Sequence, residues 1–134
     1  LRGRDCRALL LVGRTRRSEA FRVQMRAENR DLSGGRLSST GPSTARSPAP
    51  VADMVRALTG AGFAAEASSD TEEDIGNYLL YRVLASLPDD HDAPCVGLLR
   101  APLAVEEPDF RKGVQTAAAA IAQRLAPLPR ARAT

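Results

Sequence analysis

Cysteine is scarce in this chain of 134 residues, where Cys6 and Cys95 are the two thiols. Two cysteines exclude the disulfide framework of a small secreted domain, so we expect a cytoplasmic protein with reduced thiols. Each thiol is expected to be a small buried hydrophobe and not a reactive group. No apolar run is long enough to span a membrane, and no secretory signal peptide is visible at the start.

Lysine is rarer still, since Lys112 is the only one and arginine supplies nearly all of the 19 basic residues. Arginine in place of lysine, together with abundant alanine, is typical of a GC-rich genome. The net charge is +3, and the arginines are interleaved with acids, so nucleic acid is not an expected partner. One alternative stays open, a basic interaction module that binds an anionic partner through Arg14, Arg16, Arg17, Arg22 and Arg26.

Apolar patterning predicts an α/β fold with the element order β-β-α-β-α-β-α. Short apolar runs and period-two alternation indicate strands, and spacings of three and four residues indicate helices. The predicted strands cover 8–13, 21–27, 63–67 and 95–99, and the predicted helices cover 51–58, 71–87 and 108–125. This alternation predicts a layered, largely parallel sheet flanked by helices. The continuous apolar run at 8–13 is expected to be covered on both faces.

One domain is expected over residues 1–126, followed by a disordered tail at 127–134. Residues 30–48 are rich in Ser, Gly, Thr and Pro, which predicts a mobile loop. Trypsin is expected to cut this loop first, at Arg36 or Arg46, before Arg130 and Arg132 in the tail. Asp70 and Glu73 have the spacing of a capping box and predict a helix start at that point.

Three segments carry a resemblance to a known family. Residues 68–82 read SSDTEEDIGNYLLYR, residues 97–102 read GLLRAP, and residues 23–29 read VQMRAEN after a strand that ends at Gly13. In this order and spacing they resemble pyroglutamyl peptidase type I, the pyrrolidone-carboxylate peptidase family of cysteine peptidases. That family carries an upstream portion as well, so we expect this sequence to be incomplete at its N-terminus.

The resemblance implies the family's α/β fold and its activity, the removal of N-terminal pyroglutamate from peptides without a cofactor or a metal. The family's catalytic glutamate, cysteine and histidine fall on Gln24, Gly76 and Arg100. A glycine has no nucleophile, an arginine stays protonated and cannot act as a base, and a glutamine carries no charge. We therefore expect an inactive member of the family. The alternatives are a divergent active peptidase with a peptide substrate, or the basic interaction module. A homo-oligomer stays open.

The resemblance also predicts that Gln24, Gly76 and Arg100 converge in space. Arg100 is then expected to pair with Glu72, Glu73 or Asp74, and exposure of Arg100 to solvent is the alternative. A substitute site formed by His91 and Cys95, with a thiol and an imidazole or with a metal, is not expected, because the acidic loop around His91 offers no closed ligand set. Serine hydrolysis by Ser38, Ser39 or Ser43 is unsupported, because no nucleophile elbow surrounds them.

Overall fold

The computed structural model describes residues 6–30, 33, 35–72, 74–87 and 93–125. The strands in this part of the chain are β1 (Ala8–Thr15), β2 (Phe21–Gln24), β3 (Arg26–Glu28), β4 (Thr44–Arg46), β5 (Ala65–Ser68) and β6 (Cys95–Pro102). The helices are α1 (Val51–Gly60), α2 (Ile75–Ser86) and α3 (Glu107–Arg124). None of these helices combines the length and the apolar character needed to cross a membrane.

The main sheet has four strands in the order β1-β6-β2-β5. β1 runs parallel to β6, with Ala8 opposite Cys95 and Gly13 opposite Arg100. β2 runs parallel to β5 and antiparallel to β6. The prediction of a largely parallel sheet flanked by helices is therefore confirmed.

Three helices and a small hairpin cover the faces of this sheet. On one face, α1 and α3 enclose a cluster that includes Phe21, Met54, Leu58 and Ile121. On the other face, α2 covers a second cluster built from Leu80, Tyr81, Val96 and Leu98 with Ala27 of β3. Each buried aliphatic or aromatic side chain contributes about 1.5–3 kcal/mol, so these two clusters fix how the elements pack.

Residues 8–13 contact the clusters on both faces, as expected: Ala8 and Leu10 pack against the cluster under α1 and α3, and Leu9 and Leu11 pack against the cluster under α2. Among the described residues this strand has a neighbour on one side, β6, which makes β1 an edge strand. Most of its side chains are half-buried, and Val12 is 42% exposed. An apolar run is typical of a strand inside a parallel sheet, but it does not show whether the strand has a neighbouring strand on each side.

The stretch 21–27, expected to be one strand, is split at Met25. The backbone N–H of Met25 donates to Ser68 O of β5, and Met25 O accepts from the N–H of Ser47. Beyond Met25 the chain leaves the main sheet, and β3 pairs antiparallel with β4. The loop predicted at 30–48 therefore contains a strand. β4 has no apolar pattern of its own, and backbone hydrogen bonds to β3 hold it in place.

The start of α2 corrects the predicted capping box. The helix begins at Ile75, and the carboxylate of Asp74 caps it by accepting from the N–H groups of Gly76 and Asn77. Glu72 has a positive φ of 43°, which interrupts the backbone before the helix. Helical geometry therefore cannot extend back to Asp70. Glu73, the other half of the expected capping box, lies outside the described residues, as does the tail at 127–134.

Candidate functional site at the carboxyl end of β6

Gln24, Gly76 and Arg100 converge at one place, as the sequence motifs predict. Nε of Arg100 donates to Oε1 of Gln24 at 2.8 Å. A Cβ atom on Gly76 would lie 2.8 Å from Nη2 and 3.2 Å from Cζ of Arg100. The guanidinium of Arg100 therefore fills the space where a side chain at position 76 would start.

The sheet topology explains this convergence. β2 runs antiparallel to β6, with Arg22 opposite Arg100 and Gln24 opposite Leu98. Residues paired in this way point to the same face, so Arg22, Gln24 and Arg100 share the face that α2 covers. The first turn of α2 then places Gly76 over the guanidinium.

Arg100 is buried, with 1% of its surface exposed, and its donors are satisfied. Nη1 and Nη2 bind the two carboxylate oxygens of Asp74 at 2.8 and 2.7 Å, a bidentate pair. Nη1 also donates to Arg14 O at 2.9 Å, and Nη2 lies 3.5 Å from Thr71 O. The expected pairing of Arg100 with an acid is confirmed, and the alternative of a solvent-exposed Arg100 is wrong.

Asp74 serves two groups at once, the guanidinium of Arg100 and the amino end of α2. Burial raises the pKa of its carboxyl group, but hydrogen bonds from Arg100, the charge of Arg100 and the backbone N–H groups outweigh burial. The net effect holds the pKa of Asp74 below its ordinary value. Its side chain is 45% exposed, so water can reach the outer side of the pair.

Glu72 lies between two arginines that would otherwise repel each other. Arg22 and Arg100 face each other across the strand pair, an arrangement that is unfavourable for like charges. The carboxylate of Glu72 lies 3.3 Å from Nη1 of Arg22 and 3.8 Å from Nε of Arg100. It also accepts from the hydroxyl of Thr15, 2.8 Å from each oxygen. A strained backbone at Glu72 thus holds a buried acid where it separates two cations.

Thr15 and the central role of Glu72 were not found by sequence reasoning. Thr15 is 1% exposed, although it ends β1 in a stretch of arginines. Sequence reasoning named Glu72 as one candidate partner for Arg100 among three. The structure assigns the bidentate contact to Asp74 and places Glu72 3.8 Å from Nε of Arg100. One feature of the sequence could have indicated Thr15: it is a hydroxyl residue at the end of the predicted strand that leads into the site.

The five arginines proposed for an anionic partner do not form one unpaired basic surface. Arg22 pairs with Glu66 in the main sheet, and Arg26 pairs with Glu28 in β3. Arg17 pairs with Asp70, and Arg14 lies over the ring of Phe110. Arg16, which is exposed, has no such partner among the described residues. Acids from β3, β5 and the loop after β5 neutralise three of these five arginines.

Both thiols lie far from Arg100. Cys95 begins β6 and Cys6 precedes β1, so both lie at the end of the sheet opposite Arg100. Arg100 lies five residue steps along the extended strand from Cys95, roughly 16 Å. Burial raises the pKa of the Cys95 thiol, which lowers its thiolate fraction. His91 lies outside the described residues, so the expectation about a His91–Cys95 site stays untested. The described residues hold no group of three or more metal-ligating side chains.

No protein-family model matches this sequence, and no curated protein matches it. Solved structures do match. Pyroglutamyl peptidase I from Bacillus amyloliquefaciens has a TM-score of 0.79 at 17% identity, over 87% of this chain and 66% of that chain. Pyrrolidone carboxyl peptidase from Thermus thermophilus has a TM-score of 0.75 at 20% identity, over 84% of this chain and 68% of that chain. The enzyme from Thermococcus litoralis has a TM-score of 0.76 at 14% identity, over 87% and 66%.

These comparisons concern the fold, because the sequence identities are low. The chain spans about two thirds of the length of the structures that it matches. The elements align over most of this chain, in agreement with the resemblance that its motifs carry. The chain therefore has the fold of the pyrrolidone carboxyl peptidases, also called pyroglutamyl peptidases I.

Proposed function

We propose that this chain is a degenerate pyroglutamyl peptidase domain that keeps the fold and has no peptidase activity. Gln24, Gly76 and Arg100 stand where the family has its glutamate, cysteine and histidine. The observation that carries the proposal is the position of the Arg100 guanidinium, 2.8 Å from where a Cβ of residue 76 would be. The space that a nucleophile needs is occupied by a buried cation.

The family's nucleophile position offers no group that could attack a carbonyl. Gly76 has no side chain, and Cys95 is roughly 16 Å away along β6. A thiol nucleophile also needs a lowered pKa, whereas burial raises the pKa of Cys95. Covalent catalysis of the family type therefore has no nucleophile at this position.

Gln24 and Arg100, which stand at the family's glutamate and histidine positions, also cannot act as a base. Arginine does not act as a base in proteins, and each edge of this guanidinium is already bound. Gln24 accepts from Nε of Arg100 and donates through Nε2 to Arg26 O at 2.8 Å. It is a neutral spacer in a hydrogen-bond network. Proton transfer to or from a substrate is thus not available from these residues.

In place of catalysis, the site acts as a structural core. Asp74, Glu72 and Gln24 bind Arg100 and tie β2, β6 and the amino end of α2 together. Removing one partner of such a buried pair typically costs about 3–5 kcal/mol. The domain thereby supports a non-catalytic role and takes neither a peptide substrate at this position nor a cofactor.

The test is an assay for release of a chromogenic amine from its pyroglutamyl amide in reducing buffer. We expect the rate to equal the buffer blank, for the wild-type chain and for a variant with both Cys6→Ser and Cys95→Ser. Turnover above the blank in wild type that is lost in the double variant would establish the alternative, a divergent active cysteine peptidase. An intact circular dichroism spectrum for both proteins is the control for folding.

A further inference from the structure

The outer face of the hairpin formed by β3 and β4 carries two arginines that face each other. Arg26 of β3 lies directly opposite Arg46 of β4 in the antiparallel register. Their neighbours Ala27 and Ala45 pack against the cluster under α2, so the two arginines point away from it. Like charges at opposed positions destabilise a strand pair. Arg46 is exposed and has no ion pair among the described residues, so the hairpin does not compensate its charge.

The charge of this part of the chain is positive in sequence as well. Residues 26–46 contain four arginines and two acids, Glu28 and Asp31, which gives a net charge of +2. The carboxylate of Glu28 lies 3.2 Å from Nη1 of Arg26 and 3.7 Å from Nη2 of Arg30, so it is already engaged. A hairpin of such short strands is marginal by itself. Natural proteins keep local conflicts of this kind mainly at functional sites, which makes the hairpin a candidate binding site.

A small polar pocket opens beside the hairpin. It has a volume of about 280 Å³, and Arg30, Arg36, Ser43 and Thr44 are part of its lining. The hydroxyl groups of Ser43 and Thr44 are exposed and make no hydrogen bond with the described residues. Glu28 also lines the pocket, and the arginines bound to its two oxygens offset its charge. Ligand pockets usually have volumes of about 300–1000 Å³, so this one suits a compact anion.

Hydrogen bonds fix the walls of this pocket. Asn77 of α2 binds both backbone groups of Glu28, accepting from its N–H at 2.8 Å and donating to its carbonyl oxygen at 3.1 Å. Asn29 does the same for Ser38, at 2.9 and 2.8 Å. Nη2 of Arg36 donates to a carbonyl oxygen of the same loop at 2.6 Å. The guanidinium of Arg36 is thus held beside the pocket before a ligand arrives, which lowers the cost of binding.

We propose that this pocket binds the phosphate group of a small phosphomonoester. Such a group carries up to two negative charges and three strong acceptor oxygens. Arg30 and Arg36 bind its charge, Ser43 and Thr44 donate their hydroxyl protons to its oxygens, and Arg46 adds an attractive field from the hairpin. A carboxylate has one charge and two oxygens, so it would use fewer of these donors. None of the lining residues belongs to the degenerate catalytic positions, so the proposal is independent of peptidase activity.

Glycerol 3-phosphate is the probe for this site. It is titrated into the isotope-labelled full chain at constant ionic strength, and the backbone amide signals are followed. We expect saturable shifts at residues 28–30, 36 and 43–46, and the same shifts with inorganic phosphate, because the phosphate group supplies the contacts. Glycerate, the carboxylate counterpart, should bind about tenfold more weakly, since it lacks the second charge and the third oxygen.

Three variants test the individual contacts. Arg36→Lys keeps the charge but loses the planar fork that matches two phosphate oxygens, and Thr44→Val removes one hydroxyl donor. Each should weaken glycerol 3-phosphate about tenfold. Arg46→Gln should weaken it roughly threefold to fivefold, as expected for an exposed ion pair. Without ligand, Arg46→Gln should unfold at an equal or higher urea concentration, because the variant removes the like-charge pair. Arg56→Gln, the same change at an exposed arginine of α1, is the matched control and should leave the affinity unchanged.

Four results overturn the proposal. They are equal binding of glycerate, shifts that avoid the hairpin, full affinity in both Arg36→Lys and Thr44→Val, and a loss of stability in unliganded Arg46→Gln. Sedimentation with vesicles that contain phosphatidic acid, or retention by a single-stranded oligonucleotide, tests the other sources of phosphate. Binding there without a response to glycerol 3-phosphate would assign the arginines to a polyanionic surface and also overturn the proposal. Spectra of the variants that match wild type away from the substitution show that each remains folded.

Discussion

Replacing Gly76 with alanine perturbs the site through a single methyl group. In an ordinary helix this change stabilises the protein by up to about 1 kcal/mol, because glycine is a poor helix former. At Gly76 the added Cβ meets Nη2 of Arg100 at 2.8 Å, whereas ordinary contact begins at 3.4 Å. The guanidinium therefore has to retreat by about 0.6 Å.

The retreat acts on a buried charge that is held by hydrogen bonds on several sides. Its bonds to the two oxygens of Asp74 are 2.7 and 2.8 Å long, and its bond to Gln24 is 2.8 Å. Overpacking alone costs about 1–3 kcal/mol, and loss of a buried charge partner costs about 3–5 kcal/mol. After the gain in helix propensity, we expect Gly76→Ala to lower the free energy of unfolding by about 2 kcal/mol or more.

Urea denaturation with linear extrapolation measures this change, provided that the slope stays constant. Gly60→Ala is the matched control, because nothing lies within 4 Å of its added Cβ at the end of α1. In an Arg100→His background the clash is removed, and Gly76→Ala should then be neutral or stabilising, a coupling of about 2 kcal/mol. The reasoning fails if Gly76→Ala and Gly60→Ala change the free energy of unfolding by the same amount.

Three further predictions follow from other contacts. Because folding lowers the pKa of Asp74, this carboxylate adds to the free energy of unfolding above the unfolded carboxyl pKa of about 3.9, and the gain is lost as pH falls through the folded pKa. Asp74→Asn should therefore flatten the acid side of the curve of unfolding free energy against pH. An unchanged curve would contradict the pairing with Arg100. Gly113→Ala should destabilise by about 1–3 kcal/mol in urea, since its Cβ would lie 2.5 Å from the Phe21 ring; a gain in stability would refute that close packing. Trypsin should cleave after Arg36 before any site within β4, because β4 is paired with β3. Mass spectrometry of the early fragments gives the order of cleavage.

The parts of the fold that carry strong apolar patterns could be predicted from the sequence. The runs at 8–13 and 95–99 became the parallel pair β1 and β6, and the helices at 51–58 and 108–125 appear with small shifts at their ends. The hairpin of β3 and β4 could not be predicted. A strand of three residues, Thr44–Arg46, has no pattern of its own and is fixed by backbone pairing.

The candidate site was also predictable from the sequence only in part. Motif positions far apart in sequence predicted that Gln24, Gly76 and Arg100 meet, and hydrogen bonds join two of them. The choice of Asp74 over its acidic neighbours depends on the left-handed backbone at Glu72, which sets where α2 begins. Sequence spacing cannot supply that turn, because glutamate adopts a positive φ only when surrounding contacts over-determine it.

The contact between Arg100 and Gly76 also constrains how the sequence can vary. With arginine at 100, every residue larger than glycine at 76 meets a buried guanidinium at 2.8 Å, so the two positions are not free to change separately. A mutational path that puts a side chain at 76 has to shorten residue 100 first, and the reverse order passes through a destabilised protein. Among relatives of this chain, arginine at 100 and glycine at 76 should therefore covary, and ancestral reconstruction should place the loss of the side chain at 76 before the arrival of the arginine.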